Sequence, residues 1–150
     1  MTNNIFSRLK NPSNDAQYLV YHYIKAKTII SKNIYKRLLI KKYNIFLSTD
    51  IVIGRNLSLP HPTGIVIGKG AVIDNNVTIY QQVTIGGKNV GDTKSGRIPH
   101  IKDGAVLFAG SKILGNITVG RNSQIGANSV LLESTEDDSV YAGVPARKIK

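Results

Sequence analysis

Aliphatic residues return at every sixth position along most of this chain. A helix repeats every 3.6 residues and a flat strand every two, so neither element accounts for a period of six. A solenoid with three short straight segments per turn does, because each block of six then forms one wall of a triangular prism and points its first side chain at the axis. The residues that set this period are Ile53, Leu59, Ile67, Ile73, Ile79, Ile85, Ile101, Leu107, Ile113, Val119, Ile125 and Leu131.

Two interruptions break the period, and both are informative. Two extra residues occur at Ile65-Val66, and the stretch GGKNVGDTKSGRIPH occupies positions 86–100. A polar stretch of this length does not fit the wall of a prism, so it is predicted to loop out. Long loops on a regular scaffold often carry function.

The first part of the chain has a different pattern. Between about Asp15 and Asn44 the apolar residues fall mostly three to five positions apart, which predicts one or two amphipathic helices. Asn11-Pro12-Ser13-Asn14 is typical of a helix start, with Ser13 or Asn14 as the expected N-cap. We therefore divide the chain into a basic helical segment, 1–45, and a solenoid domain, 46–150, with a looped-out segment 86–100 and a C-terminal tail 140–150.

Composition narrows the class of protein. The 150 residues suit one domain, and the absence of cysteine excludes disulfides and thiolate metal sites. No apolar run reaches the roughly 18 residues that cross a bilayer, and the first residues lack the apolar core of a secretory signal. We expect a cytoplasmic protein.

Positive charge is concentrated in the helical segment. Residues 1–45 hold nine Lys and Arg against the single acid Asp15, within a net charge of +11 for the whole chain. Three interpretations stay open: a solvated helical face, attraction to anionic lipid headgroups at the inner membrane face, or attraction to a polyanionic substrate. No nucleic-acid-binding motif accompanies the charge, so no nucleic acid partner is expected.

The repeats, the segment LPHPTGIVIGKGAVIDNNVTIYQQVTIGG, the block KILGNITVGRNSQIGANSVLL and the ending YAGVPARKIK resemble the hexapeptide-repeat acyltransferases. Within them the chain is similar to the serine acetyltransferase branch with its capsule and polysaccharide O-acetyltransferase relatives. The resemblance implies a left-handed parallel β-helix, a homotrimer with active sites between subunits, and acetyl-CoA as co-substrate, with no metal.

Two histidines are catalytic candidates, because a hydroxyl acceptor needs a base that works near neutral pH. His61, in L-P-H-P-T-G, matches the histidine of the family motif L-D-H-A-T-G, which implies the general base. His100, in R-I-P-H-I, is the second candidate, although the family motif R-H-P-K-I has its histidine where this chain has Ile98. A capping role at the loop exit is the alternative for His100, and His22 is expected to be a packing or surface residue.

Further site residues follow from the chemistry of a thioester and, for Gln81 and the contacts with CoA, from the resemblance. Gly86 and Gly87 are candidates for oxyanion donors through their backbone N–H groups, with simple turn geometry as the alternative. Candidates for substrate binding are Gln81, Asp92 and Arg97. Candidates for contacts with CoA are Ala109, Gly110, Gly126, Ala127, Ser129, Arg147 and Lys148, the last two through its phosphates.

Departures from the serine acetyltransferase pattern bear on the acceptor. Pro60 and Phe46 stand where that pattern has acids, which leaves Asp50, Asp74 and Asp92 as candidate partners for His61. The main prediction is therefore O-acetylation of a sugar hydroxyl in a capsule polysaccharide or glycan precursor. The alternatives are serine O-acetylation in cysteine biosynthesis, a non-catalytic scaffold, and a zinc carbonic anhydrase, which needs three imidazoles where the solenoid has two.

Overall fold

The computed structural model describes residues 11–150. Its first elements are two helices, α1 (Pro12–Lys25) and α2 (Ile29–Tyr43), which pack against each other as a hairpin. The predicted N-cap was wrong: Asn11 caps α1, accepting the backbone N–H of Ser13 on its side chain at 3.0 Å. Pro12 follows at the first helical position, where its fixed φ suits the helix and its missing N–H has no partner to lose. Arg8 and Lys10 of the predicted basic segment lie outside the described residues.

The rest of the described chain is a parallel β-helix. Its strands form three sheets, which we call face A (β1-β3-β6-β9-β12), face B (β2-β4-β7-β10) and face C (β5-β8-β11-β13-β14). Within the faces every pairing is parallel except that of β13 with β14. The strands are β1 (Phe46–Leu47), β2 (Val52–Ile53), β3 (Val66–Ile67), β4 (Val72–Ile73), β5 (Thr78–Ile79), β6 (Thr84–Gly86), β7 (His100–Ile101), β8 (Val106–Leu107), β9 (Lys112–Leu114), β10 (Thr118–Val119), β11 (Gln124–Ile125), β12 (Val130–Leu131), β13 (Val140–Gly143) and β14 (Ala146–Lys148).

The aliphatic residues of the sixfold period fill the prism axis, as predicted. From Ile67 to Leu131 each of them is at most 2% exposed. Their neighbours on either side in the strands face outward, and the small or branched residues of the fifth positions, such as Val77, Ala105 and Ser123, are buried at the corners. This stack of aliphatic side chains is the main hydrophobic core.

Corner geometry explains the Asn and Gly residues of the repeat. At nine corners the residue three positions after an inward aliphatic adopts a left-handed backbone, with φ between 53° and 82°. Asn and Gly tolerate this region at the lowest cost, which is why they recur there. The corner residues are Asp50, Asn56, Gly70, Asn76, Gln82, Gly104, Gly110, Asn122 and Asn128.

The first interruption of the period lies earlier than the sequence indicated. Ile65 is buried at 1% exposure and Val66 begins β3, so both occupy regular positions of the repeat. The left-handed corner is Gly64, and the two extra residues lie in the turn between Leu59 and Gly64. The prediction that the two extra residues are Ile65-Val66 was wrong. The spacing shows how many residues are inserted, but it does not show on which side of a corner they lie. The insertion enlarges the turn that carries His61.

The helical hairpin covers the first coil of the prism. Tyr23 is buried and its hydroxyl donates to the backbone carbonyl of Ser48 at 3.0 Å, while Leu39 packs fully buried in the same core. Asp15 accepts from Lys42 at 2.8 Å and from the Tyr43 hydroxyl at 2.7 Å, which ties α1 to the end of α2. Neither helix described between residues 11 and 150 is long and apolar enough to cross a membrane.

Candidate active site

One edge of the prism gathers His61 and most of the candidates for CoA contacts. This is the C/A edge, where the chain turns from face C to face A in each coil. Backbone hydrogen bonds join successive turns, from Gln82 N–H to the Thr63 carbonyl at 2.8 Å and from Gly110 N–H to the Gln81 carbonyl at 2.9 Å. A third bond runs from Asn128 N–H to the carbonyl of Ala109 at 2.8 Å. The turns therefore stack in one column.

His61 is exposed at the base of this column. No hydrogen bond or ion pair holds its ring within the described part of the chain, and its closest aromatic neighbour is Tyr80, with ring centroids 6.0 Å apart. The Tyr80 ring in turn stacks on that of Phe108, at 5.4 Å between centroids and 21° between planes. An imidazole with free ring nitrogens on an exposed edge is suited to exchange protons with a bound substrate.

The carboxylates that the sequence offered as partners of His61 are engaged elsewhere. Asp50 pairs with Lys69 at 3.3 Å, Asp74 with His100 at 2.9 Å, and Asp92 with Arg97 at 2.9 Å. Within residues 11–150 the structure therefore gives His61 no carboxylate partner.

Gln81 presents an unsatisfied acceptor at the same edge. Its Oε1 atom is buried without a hydrogen-bond partner in the described part of the chain, as is the Oγ atom of Ser111 in the next coil. A buried polar atom without a partner costs about 1–3 kcal/mol, so such atoms are often satisfied by a ligand. This orphaned oxygen fits a ligand that brings an N–H or O–H donor to the edge.

The candidates for CoA contacts divide into two groups. Ala109 and Ala127 form an open strip of small residues on the edge, half-buried and exposed respectively. Gly126 beside them packs against β13, because a Cβ atom there would come within 3.0 Å of the Ala142 Cβ. Ser129 is instead buried, and its Oγ accepts the Gly143 N–H at 3.0 Å, so it holds the C-terminal hairpin. Gly110 is one of the left-handed corner residues, with φ of 72°. Because its side chains are small, the strip leaves room for an extended ligand to lie along it.

Arg147 and Lys148 lie on β14 and are paired with acids. The Arg147 guanidinium is 3.8 Å from the Glu133 carboxylate, and the Lys148 amine is 2.6 Å from that of Glu136. The hydrogen bond to Glu136 raises the pKa of Lys148. A phosphate at this place would therefore compete with two carboxylates.

His100 lies on face B with a carboxylate partner. It begins β7, pairs in register with Val72, and its Nε2 atom is 2.9 Å from the Oδ1 atom of Asp74. An ionised carboxylate only accepts, so Nε2 carries a proton, and in the neutral ring Nδ1 is then the acceptor. The His100 side chain is 34% exposed, which leaves the ring accessible from outside the prism.

Sequence reasoning did not select this pair, although a signal existed. Coils repeat every 18 residues, as in the pairing of His100 with Thr118, but Val72 and His100 are 28 residues apart because the loop between them adds ten. Counting the loop as an insertion would have placed Asp74 beside His100 and Tyr80 beside Phe108. The aromatic pair was missed for the same reason.

Asp92 organises the looped-out segment. Its carboxylate is 2% exposed and accepts the backbone N–H groups of Asn89 at 2.7 Å and Lys88 at 2.9 Å, together with Arg97 Nε at 2.9 Å. The N–H of Asn89, then the Arg97 guanidinium, hold the pKa of Asp92 below its ordinary value. Asp92 thus fixes the loop, and Arg97 presents the rest of its guanidinium with 58% of the side chain exposed.

Gly86 and Gly87 lie where this loop leaves face A. Gly86 ends β6, and a side chain there would meet open space. A Cβ atom on Gly87 would come within 2.8 Å of the Asp92 Cβ, so packing against Asp92 accounts for that glycine. Both lie at the corner between faces A and B, away from the C/A edge. Ile98, at the position of the family histidine, is buried at 7% exposure.

The site residues therefore form two groups on opposite sides of the prism. We call His61, Gln81, Ala109, Gly126 and Ala127 the edge half-site. We call Asp74 and His100 on face B, together with Arg97 near the end of the looped-out segment that leads into β7, the face half-site. In a triangular prism the C/A edge lies opposite face B, so the outward side chains of the two half-sites point away from each other within one chain.

His22 belongs to neither half-site. Its ring lies among those of Tyr18, Tyr21 and Tyr35, with centroids 4.1, 5.3 and 5.4 Å away. Of the two roles expected from the sequence, packing or surface, these contacts favour packing. Among residues 11–150 no three His, Asp or Glu side chains converge to hold a metal ion.

Comparison with known proteins defines the class first. A family described as bacterial transferase hexapeptide (six repeats) matches residues 98–133, and one described as hexapeptide repeat of succinyl-transferase matches residues 50–81. Together with the coils seen here, these matches define a hexapeptide-repeat protein with a left-handed parallel β-helix, which confirms the predicted fold class.

Individual relatives narrow the class. Serine acetyltransferase of Salmonella typhimurium is 52% identical over 95 residues, 63% of this chain and 34% of the relative. That of Staphylococcus xylosus is 39% identical over 137 residues, 89% of this chain and 61% of the relative. A solved serine acetyltransferase of Brucella abortus in complex with coenzyme A superposes with a TM-score of 0.70 at 37% identity, over 89% of this chain and 52% of that one.

This chain belongs to the hexapeptide-repeat acyltransferase family, in its serine acetyltransferase-like branch. It spans about a third of the length of the first curated relatives it matches.

Proposed function

We propose that this protein is an acetyl-CoA-dependent O-acetyltransferase. The observation that carries the proposal is His61, exposed and free of a hydrogen-bond partner in the described chain, on the same edge of the prism as the open strip of Ala109 and Ala127. The relatives are serine acetyltransferases, and one solved relative is a complex with coenzyme A. The strip and the orphaned Gln81 oxygen fit an extended ligand that carries amide N–H groups.

The chemistry follows from the position of His61. Acetyl-CoA supplies a thioester carbonyl carbon as the electrophile. The imidazole of His61 removes the acceptor hydroxyl proton while the hydroxyl oxygen forms the new ester bond and the carbon–sulfur bond breaks. The protonated ring then returns the proton to the leaving thiolate, so His61 ends as it began.

We propose further that the protein forms a homotrimer with active sites between subunits. The two half-sites cannot meet within one chain, so a site containing both takes the edge half-site of one subunit and the face half-site of its neighbour. In that site His61 acts as the base, while His100 and Arg97 bind the acceptor.

L-serine is the first acceptor to consider. The relatives fit serine better than the sugar acceptor predicted from the sequence. The Arg97 guanidinium, held through Nε by Asp92 and otherwise exposed, is shaped to bind a carboxylate such as that of serine.

A sugar hydroxyl is the second candidate, favoured by the aromatic pair beside His61. The stacked Tyr80 and Phe108 rings offer an apolar surface next to the proposed base, and the C–H face of a pyranose packs well on such rings. Pro60 and Phe46 replace family acids, which weakens the case for an amino acid acceptor. A capsule polysaccharide or glycan precursor would supply such a hydroxyl.

A turnover screen tests the proposal. The purified protein is given acetyl-CoA with L-serine, nucleotide sugars or oligosaccharides, and thiol release is measured. We expect release that depends on one acceptor class, and a loss of about 10²–10⁴-fold in His61→Ala. The matched control is His22→Gln, which removes a histidine outside both half-sites and should keep the rate. No acceptor-dependent release, together with no thermal shift on adding CoA, would identify a non-catalytic scaffold instead.

A further inference from the structure

The outward side of α2 carries exposed aliphatic residues. Ile29, Ile30 and Ile34 are 77%, 70% and 53% exposed, although the opposite side of the helix packs through Leu39 in the core. Isoleucines this exposed on one face form an apolar surface that is open to solvent.

The same surface is basic. Ile30, Ile34, Arg37 and Lys41 follow one another at helical spacings of four, three and four, so they form one stripe, and both cations are exposed. Lys25 and Lys27 are exposed at the adjoining end of the hairpin. We call these residues together with Ile29 the outer α2 surface.

Acidic groups near this surface are already neutralised. Helix α2 contains no Asp or Glu, Asp15 is bound by Lys42 and the Tyr43 hydroxyl, and Asp50 pairs with Lys69. Lys32 and Lys36 lie over the rings of Tyr23 and Phe46 on the other side of the helix. The outer α2 surface therefore combines apolar side chains with uncompensated positive charge.

We propose that the outer α2 surface docks the protein onto an anionic phospholipid membrane. Isoleucine side chains can enter the boundary between headgroups and acyl chains while Arg37, Lys41, Lys25 and Lys27 meet lipid phosphates. The proposal goes beyond acetyl transfer and does not depend on it.

The composition of this surface argues against two other partners, a second copy of the chain and a nucleic acid. A second copy packed face to face would bring like cations together across the interface, which is unfavourable. A nucleic acid would pair with the cations but leave the isoleucines in water. An anionic bilayer satisfies both kinds of side chain at once.

Vesicle co-sedimentation of the purified full chain tests the proposal. Vesicles of phosphatidylcholine alone are compared with vesicles containing about one third phosphatidylglycerol, at low and high salt. We expect binding to the anionic vesicles only, weakened by salt because screening reduces the attraction of cations to the surface. The double variant Ile30→Asp/Ile34→Asp should bind at least about tenfold more weakly.

Matched controls separate the surface from general effects. Ile149→Asp changes an isoleucine of similar exposure, 67%, on the C-terminal hairpin at the other end of the prism, and should bind like the unmodified protein. Arg37→Glu/Lys41→Glu should weaken binding to the anionic vesicles at least about tenfold, since each cation raises the affinity for an anionic surface several-fold. Lys94→Glu, in the looped-out segment, should have little effect.

Three outcomes would overturn the proposal. These are no binding to anionic vesicles, equal losses in the Ile149→Asp control, and unchanged vesicle binding by Ile30→Asp/Ile34→Asp with a smaller assembly in sedimentation velocity. The last outcome would identify the surface as a contact between copies of the chain. Acetyl transfer is measured on the same samples, so failure of membrane docking is distinguished from failure of the proposed enzyme.

Discussion

His61 and His100 differ in how the structure holds their rings. His61 has no hydrogen-bond partner in the described chain, whereas His100 is bound to Asp74 at 2.9 Å. A carboxylate partner fixes both the orientation and the tautomer of an imidazole, while a free ring can adjust to a ligand. The difference suits a base that moves a proton at His61 and an acceptor-binding group with a fixed Nδ1 at His100.

Replacing Asp74 tests this assignment. We expect Asp74→Asn to lower acetyl transfer roughly tenfold, because the amide no longer enforces the Nε2–H tautomer of His100. The ¹⁵N shifts of the His100 ring should change from the Nε2–H pattern to a mixture of tautomers, and the melting temperature should change little.

Asp103→Asn provides the matched control. Asp103 accepts from Asn75 one coil away and touches no histidine, so its replacement should leave the ring shifts unchanged. An activity loss in Asp74→Asn with unaltered His100 shifts would contradict a positioning role.

Motif similarity and local spacing predicted some site residues but not their contacts. His61 was found through the residues that surround it in sequence. The pairing of Asp74 with His100 depends on the register of two coils, which the intervening loop changes by ten residues. To predict such a contact, the loop must first be counted as an insertion, and only then can residues of adjacent coils be paired.

At the level of the coil, Gln82 is an exception among the corner residues. It adopts φ of 59°, where the other corners of the repeat have Gly, Asn or Asp. Its backbone carbonyl accepts from the Lys112 amine at 2.7 Å, and its turn stacks on the turn that carries His61. A longer side chain in this backbone region costs more than Asn, so the corner is strained beside the edge half-site.

Relieving that strain should stabilise the prism. We expect Gln82→Asn to raise the free energy of unfolding by about 0.5–1 kcal/mol, since Asn tolerates the left-handed region better. The measurement is the denaturant midpoint at fixed protein concentration. Gln124→Asn makes the same chemical change on the exposed side of β11, and should give no gain. Equal shifts in the two variants would show that backbone strain at Gln82 is not the cause.

Periodicity predicted the walls of the prism well because a single physical requirement, one inward aliphatic per wall, repeats along the chain. Periodicity did not predict where elements begin and end. The N-cap fell on Asn11, and the two extra residues lie in the His61 turn, because these details depend on which nearby side chain or turn satisfies the backbone locally. The exposed isoleucines of α2 were also assigned to an amphipathic pattern that does not bury them.

Over the whole molecule, the separation of the half-sites is the feature that bears most on function. His61 points outward from the C/A edge and His100 from the opposite face. A protein that needs both for one reaction must bring two chains together, and cyclic symmetry does this with one repeated contact. The contact that forms the oligomer then also completes the active site.

Mixed trimers provide the sharpest test of this arrangement. Chains carrying His61→Ala and chains carrying His100→Ala are co-expressed with different tags, and assemblies containing both are isolated by tandem purification. Each single variant alone should be nearly inactive. In any mixed trimer one of the three interfaces joins an intact His61 to an intact His100 of its neighbour, so activity should recover to about a third of the unmodified rate.

As a control, two differently tagged His61→Ala chains, purified in the same way, should stay inactive. If mixed trimers also stay inactive while remaining folded and assembled, the two histidines do not share a site between subunits, and the proposed arrangement is wrong.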